Sequence, residues 1–382
     1  MADREQPVEG LKILLWHWGR RGAGPRYTLE LARALIRRGD IEVHLSISKD
    51  SELIDEFRAL NIPMLEVKTY KGLVSAFFMT LNVLATRRRF FHYLRDNRIQ
   101  VVDSTMGHLW SRFTVPAVLK SGAMLLNTVH DAVLHPGEQG GLKSWFYQPF
   151  KAAHAYIALS NYVGQQLSDV YAIAPDKISV IPLGPLSDPV TQIPVGPSGA
   201  GPLRLLFFGR ILRYKGLERL IEAYGILRAE GQQVSLQITG SGDMRDVIAA
   251  VTALPDITVN NKWVPEDKME SVFSGTDVIV LPYLESSQSG VIASAFATGV
   301  PAIGTPIGGL PEQITHGVNG LVAADTSPAA LACEIRKLAG DGALLAKLRD
   351  GAIRTAQQQF SWDKISDEIL VLSRNCLNRA RR

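Results

Sequence analysis

The chain has 382 residues, more than one hydrophobic core usually organises, so two domains are expected. Hydrophobic residues at 46% and charged residues at 20% are the balance of a soluble globular protein, and two cysteines, Cys333 and Cys376, exclude a disulfide framework or a cysteine metal cluster and suit a reducing cytosol. The net charge of +4 is uneven, with 22 Lys/Arg against 17 Asp/Glu in residues 1–185 and 19 against 20 beyond, an excess that suits an anionic partner on the first half but is too slight for nucleic acid.

The opening MADREQPVEG is polar and reads as no signal peptide, and no apolar run approaches the ~20 residues that span a bilayer. Leu11 to Trp16 reads as a short apolar strand. A loop holding Gly22, Ala23 and Gly24 follows, then a helix from about Arg26 to Arg38, closed by Gly39, and a second strand from Ile41 to Ile47. Strand, glycine loop, helix, strand is a doubly wound α/β beginning. The glycine turn lets backbone N–H groups approach a ligand at a helix N-terminus, or is a plain tight turn. The G-x-G-x-x-G spacing of a dinucleotide site is missing.

A helix is expected over Glu52 to Leu60 and a strand over Met64 to Lys68. The segment from Tyr70 to Arg95 then mixes Phe77, Phe78, Met79 and Leu81 with Arg87, Arg88, Arg89, Phe90 and Phe91. Its apolar face reads first as two helices packed on the sheet, with arginines snorkelling to water. The Arg87-Arg88-Arg89 run is the part expected to meet a membrane surface or an anionic, lipid-linked acceptor. Strands are expected over Gln100 to Ser104 and Met124 to Val129, the second ending in His130-Asp131. A histidine at a strand's carboxyl end can face a ligand or be a structural residue. Tyr156 to Leu159, capped into a helix by Ser160-Asn161, and Lys177 to Pro182 complete a first domain over 1–185.

Residues 186–202, rich in Pro, Gly and Ser, read as a linker. The second domain, 203–360, opens with the buried strand Leu203 to Phe208, Gly209-Arg210, Lys215-Gly216 and a helix over 217–230. Two cations at a strand's carboxyl end, just before a helix, suit an anionic ligand: Arg210 can fork onto a phosphate and Lys215 adds a point charge. Val234 to Thr239 is a strand ending in Gly240-Ser241-Gly242, with a helix over Asp246 to Leu254, a strand over Ile257 to Asn260, and a loop holding Trp263-Val264-Pro265. After a short helix from Met269 and the strand Val278 to Leu281, Glu285-Ser286-Ser287-Gln288-Ser289-Gly290 meets a helix of small residues, Ile292 to Thr298, whose N-terminus favours an anion. Pro301 to Gly304 is a strand, and helices are expected over Pro328 to Leu338, Ala343 to Gln359 and finally Ile365 to Leu377, in a 361–382 segment expected to pack back toward the first domain.

Together these stretches resemble the GT-B glycosyltransferases, and within them family 4 of the retaining glycosyltransferases. Gly209-Arg210 with Lys215-Gly216 matches the family's G-R-x-x-x-x-K-G element, and Gly240-x-Gly242 its G-x-G turn. Trp263-Val264-Pro265 is similar to the loop that holds the nucleobase; Pro282 through Pro301, Gly308-Gly309-x-x-Glu312 and Asn319-Gly320 match the donor-site block. The chain departs from the usual pair of glutamates there: Ser294 stands where the second, ribose-binding Glu is usual, Ser286 where the first is, with Glu285 one residue early and a Gln288-Ser289-Gly290 run between.

The resemblance implies an α/β, GT-B architecture of two Rossmann-like doubly wound domains facing a central cleft. It implies transfer of a hexose from a UDP- or GDP-sugar to a saccharide or lipid-linked acceptor with retention, and no metal: no Asp-x-Asp occurs in the chain. Arg210 and Lys215 would neutralise the departing diphosphate, His130 would contact the donor sugar, and Glu285 would replace the first Glu. Gly209, Gly240, Gly242, Trp263, Val264, Gln288, Ser289, Gly290 and Ser294 would hold the nucleotide sugar, while Gly22, Ala23 and Gly24 would face the acceptor or the diphosphate. A cytoplasmic enzyme, peripheral on the inner membrane face through Arg87, Arg88 and Arg89, follows as an expectation. An inverting transferase or nucleotide-sugar epimerase with Asp131 or His130 as base, and a non-catalytic nucleotide-sugar-binding protein, are the alternatives.

Overall fold

The computed structural model describes residues 10–69, 83–133, 150–186, 201–264 and 268–381. They form two units, one reaching Pro182 and resuming at Trp362, the other running from Leu183 to Ser361. Most of the stretch read as a linker, 187–200, and residues 70–82 and Pro265 lie outside the described residues.

In the first unit the order is β1 (Leu11–His17), α1 (Ala23–Arg38), β2 (Ile41–Ser48), α2 (Ile54–Ala59), β3 (Met64–Val67), α3 (Val83–Asp96), β4 (Val101–Ser104), α4 (Ser111–Ser121), β5 (Met124–Val129), β6 (Ala155–Ala158), α5 (Asn161–Tyr171) and β7 (Ile178–Val180). Every ladder is parallel and the spatial order is β3-β2-β1-β4-β5-β6-β7. A parallel sheet is covered on both faces, which is why β1, β4 and β5 read as unbroken apolar runs rather than alternating ones. One face carries Leu14, Trp16, Trp18, Phe90 and Phe150, with Trp16 ring centroids 5.1 Å from both Trp18 and Phe90.

The second unit holds β8 (Leu203–Phe208), α6 (Leu217–Ala229), β9 (Val234–Gly240), α7 (Ile248–Ala253), β10 (Ile257–Asn261), α8 (Met269–Ser274), β11 (Val278–Leu281), α9 (Gly290–Ala297), β12 (Ala302–Gly304), α10 (Leu310–Gln313), β13 (Gly320–Val322), α11 (Pro328–Gly340) and α12 (Gly342–Gln358). Its parallel order, β10-β9-β8-β11-β12-β13, repeats that of the first sheet. The strand order reverses between β1 and β4 and again between β8 and β11. At such a switch point the loops leaving the carboxyl ends diverge, one to each face, and open a crevice for a ligand. The last helix, α13 (Trp362–Arg381), belongs to the first unit and packs on α1. Arg37 bonds Asp363 at 2.6 Å and Arg374 reaches Asp40 at 3.2 Å.

The last helix runs Trp362–Arg381 rather than Ile365 to Leu377, and three further helices differ from the expectations. Helix α1 starts at Ala23, not near Arg26, because Gly22 (φ 89) turns the chain and leaves Ala23 and Gly24 inside the first turn. Helix α7 is confined to Ile248–Ala253 because the Asp243 carboxylate accepts from the Arg245 N–H at 3.0 Å, a local turn that competes with helix. Helix α4, with Pro116 inside it, went unread, since a mid-helix proline argues against helix in sequence.

Candidate functional site

In the second unit the site begins where two turns lie back to back. The Gly209 N–H donates to the Thr239 carbonyl at 3.0 Å and the Ile211 N–H to the Ser241 carbonyl at 2.9 Å. A β-carbon on Gly240, whose φ is +149°, would lie 1.7 Å from the Gly209 carbonyl oxygen. The Gly240-x-Gly242 turn thus gives the Gly209-Arg210 turn its shape. Asn261 reinforces it, accepting from the Gly242 N–H at 3.1 Å and donating to its carbonyl at 3.0 Å.

Arg210 leaves this turn exposed, with its guanidinium 3.5 Å from the Tyr214 hydroxyl. Lys215 closes a short 3-10 turn, Arg213–Lys215, and Gly216 then backs onto the end of β11: a β-carbon there would stand 1.9 Å from the Pro282 carbonyl oxygen. The loop after β8 and the segment after β11 are therefore in contact across the switch point.

That second segment leads to the N-terminus of α9. The buried Gln313 carboxamide clamps Ser289, accepting from its N–H at 2.8 Å and donating to its carbonyl at 3.1 Å. Asn319 holds Gln313 in turn, donating to its carbonyl at 3.2 Å and to Thr355 of α12 at 3.1 Å. Among the described residues Ile292 is the first amide of α9 with a backbone acceptor, the Ser289 carbonyl at 3.2 Å, which leaves the Gly290 and Val291 N–H groups without a backbone acceptor. Gln288 sits beside them, its buried Oε1 without a hydrogen-bond partner among the described residues. Glu285 is exposed, as is Trp263 at 55%, while Val264 packs on the core of this unit.

Ser294 stands apart from the other candidates. It is fully buried and its hydroxyl accepts from the Leu186 N–H at 2.9 Å. That bond joins the start of this unit to α9 and occupies the hydroxyl that the sequence placed against the nucleotide.

In the first unit the residues gather at the carboxyl ends of β1, β4 and β5. The buried His130 ring lies edge-on to Tyr27 of α1, centroids 5.2 Å apart, and its Nε2 is 2.9 Å from the Thr105 carbonyl. A carbonyl only accepts, so Nε2 carries the proton and Nδ1 is left as an acceptor. Burial holds the His130 pKa below its ordinary value, keeping the ring neutral. Asp103 of β4 is fully buried and accepts from the Thr128 hydroxyl at 2.9 Å; burial pushes its carboxyl up to about 7.

His17, at the end of β1, has no hydrogen-bond partner on either ring nitrogen among the described residues. It lies beneath the glycine turn: a β-carbon on Gly24 would come 2.5 Å from its Cε1. Burial, then the neighbouring His108 and His130, lower its pKa to about 3. Gly22 turns outward and its N–H donates to Glu52 at 2.7 Å.

The structure thus brings Gly209, Arg210, Lys215, Gly240 and Gly242 together in one place, sets Ser289 and Gly290 at the adjoining switch-point loop, and groups Gly22 to Gly24 near His17. Sequence reasoning missed Tyr283, Gln313, Tyr27 and His17. Only His17, at the carboxyl end of a strand, carried a readable signal; the others act over separations that no local pattern records.

The Glycosyltransferase Family 4 model matches residues 24–184 and the Glycosyl transferases group 1 model matches residues 202–341, so this chain belongs to that family of glycosyltransferases. A D-inositol 3-phosphate glycosyltransferase from Xylanimonas cellulosilytica is 26% identical over 90% of this chain and 89% of its own length. A glycosyltransferase from Rickettsia africae has a TM-score of 0.74 at 20% identity, covering 96% of this chain and 99% of that one. Anabaena HepE, solved in complex with UDP, has a TM-score of 0.69 at 17% identity, covering 94% and 98%. The architecture of each unit, two parallel Rossmann-like sheets in one chain, is that of the GT-B fold.

Proposed function

We propose that this glycosyltransferase moves a hexose from a UDP- or GDP-sugar to a hydroxyl of a saccharide or lipid-linked saccharide, with retention at the anomeric carbon. The observation that carries the reading is the meeting of the Arg210–Gly216 loop with the segment from Pro282 to the open end of α9. Two cations and the Gly290 and Val291 N–H groups are the groups a diphosphate needs. The solved HepE complexes with UDP and with UDP-glucose support a nucleotide-sugar donor.

The barrier is separation of an oxocarbenium-like sugar from a departing diphosphate. Charge on that diphosphate grows toward the transition state, so fixed cations and amides stabilise it more there than in the ground state. As the bond to the anomeric carbon breaks, the acceptor oxygen attacks from the same face. Its proton passes to the leaving phosphate oxygen, so no carboxylate base is required. The neutral His130 would accept a hydrogen bond from a sugar hydroxyl through Nδ1. The cations stand in for a divalent metal, and turnover is expected to persist in EDTA. Product NMR tests the reaction class: an inverted anomer would overturn retention, and absence of nucleoside diphosphate release with every donor would overturn transfer itself.

Helix α3 supports a peripheral role on an anionic cytoplasmic membrane face, within polysaccharide or glycolipid assembly. Leu84 is 66% exposed, Arg88 and Arg89 are exposed, and Arg95 and Lys120 lie over the Phe91 ring. Cosedimentation with vesicles rich in phosphatidylglycerol, weakened by Arg87, Arg88 and Arg89→Ser, is expected. Equal sedimentation with neutral vesicles would refute it. No helix among the described residues is long and apolar enough to cross a membrane.

A further inference from the structure

Lys215 is held in an unusual way for a half-buried lysine. Its ammonium lies 3.7 Å from the centroid of the Tyr283 ring and 5.4 Å from that of Tyr214. Among the described residues these rings are its only partners, and no carboxylate pairs with it.

Tyr283 itself is fixed. Only 1% of it is exposed, and its carbonyl accepts from the Thr305 hydroxyl at 2.6 Å. The next amide, Leu284, donates to the Tyr214 carbonyl at 2.8 Å, tying the segment to the loop that carries Lys215. Its phenol oxygen is 3.5 Å from the Ser289 hydroxyl, at the entrance to α9. One buried ring thus touches Lys215 and the Ser289 hydroxyl that precedes α9.

A carboxylate would hold an ammonium more tightly, but it would also cancel the charge. The negative face of an aromatic ring localises a cation without neutralising it. We propose that Tyr283 is a positioning residue, which fixes the Lys215 ammonium by its ring face and leaves the full charge, with the N–H donors turned away from the ring, to an anionic ligand. This deepens the donor-site reading above and rests on it.

The ring, not the hydroxyl, carries the effect, and that separates positioning from simple packing. Dissociation constants for UDP and GDP are measured by calorimetry on the full chain, with melting curves to check folding. Tyr283→Phe is expected within threefold of the parent for the nucleotide that binds. Replacing Tyr283 by pentafluorophenylalanine, which reverses the ring quadrupole at nearly constant shape, is expected to weaken binding by 5-fold or more. Lys215→Ala weakens binding by at least 10-fold, and in the Lys215→Ala background the fluorinated ring has no further effect. Equal binding with the phenyl and fluorinated rings, or a fluorination effect that persists without Lys215, overturns the proposal and leaves the donor site standing. Unchanged binding in Lys215→Ala overturns both.

Discussion

Gly240 and Gly209 are in backbone contact, so close that a β-carbon on Gly240 would fall 1.7 Å from the Gly209 carbonyl oxygen. The second glycine turn of the motif therefore acts on the ligand through the first. Gly240→Ala is expected to lose about 1–3 kcal/mol to backbone strain alone, with more from the displaced Gly209 carbonyl. Denaturant melts should show that loss together with weaker UDP or GDP binding. A variant of parental stability and affinity would refute the packing argument.

Ser294 stands where the resemblance places a ribose-binding glutamate, and in the structure its hydroxyl accepts from the Leu186 N–H. Ser294→Ala leaves the buried Leu186 N–H without an acceptor, at about 1–3 kcal/mol. Restoring the family's usual residue by Ser294→Glu should be worse: it places a carboxylate in a fully buried position where the hydroxyl oxygen serves Leu186. Thermal melts of the two variants, with Ala above Glu, check this.

Gln313 holds the Ser289 peptide from both sides. Gln313→Leu removes both bonds and leaves the buried Ser289 N–H unpaired, while the Ser289 carbonyl keeps the Ile292 N–H, so a stability loss of about 1–3 kcal/mol is expected. Gln313→Glu keeps the acceptor but not the donor, and adds negative charge beside the proposed diphosphate. Its affinity for nucleoside diphosphate should fall further than that of Gln313→Leu. The reverse order of affinities would count against an anion at α9.

The pH dependence of stability should come mainly from the first unit. Burial lowers His17 and His108 from an ordinary value of 6.5 to about 3, and lowers His130 as well. Below 6.5 the unfolded chain takes up protons that the folded chain refuses, so these groups make stability fall as pH drops from 6.5 toward 3. Asp103 runs the other way: raised from 3.8 to about 7, it holds a proton that the unfolded chain releases, and its contribution declines as pH rises from 3.8 through 7. Three histidines outweigh one carboxyl, so acid wins overall. Asp103→Asn should remove the loss above pH 6.5 and steepen the acid limb, where Asp103 no longer opposes the histidines, as read by melts on both sides of pH 6.5.

Much of the fold was legible because parallel strands buried on both faces appear as short apolar runs, such as Leu203 to Phe208 and Val278 to Leu281. The loops at their carboxyl ends could be read with them, and Gly209, Arg210, Lys215 and Gly240 do lie together. The partners that hold those loops were not legible. Tyr283 meets Lys215 and Gln313 meets Ser289 across a sheet crossover, and neither residue type is rare enough to signal such a contact. At Ser294 a motif position invited a ligand role, and the contact the structure shows, acceptance from the Leu186 N–H 108 residues earlier in the chain, left no local pattern to read. Helix α4 was hidden by Pro116, which sequence rules count against a helix.

Helix α13 gives the order of events on the ribosome a particular form. The first unit is translated through Pro182, yet one of its own walls, including the Trp362 ring 5.3 Å from Tyr27, comes after residue 361. At roughly 5–20 residues per second, making the second unit alone takes on the order of 10–40 s, throughout which that flank of α1 is bare. The second unit is contiguous and can close first, so the half synthesised earlier finishes last, and a nascent chain stalled before Trp362 would expose α1 to chaperones and proteases.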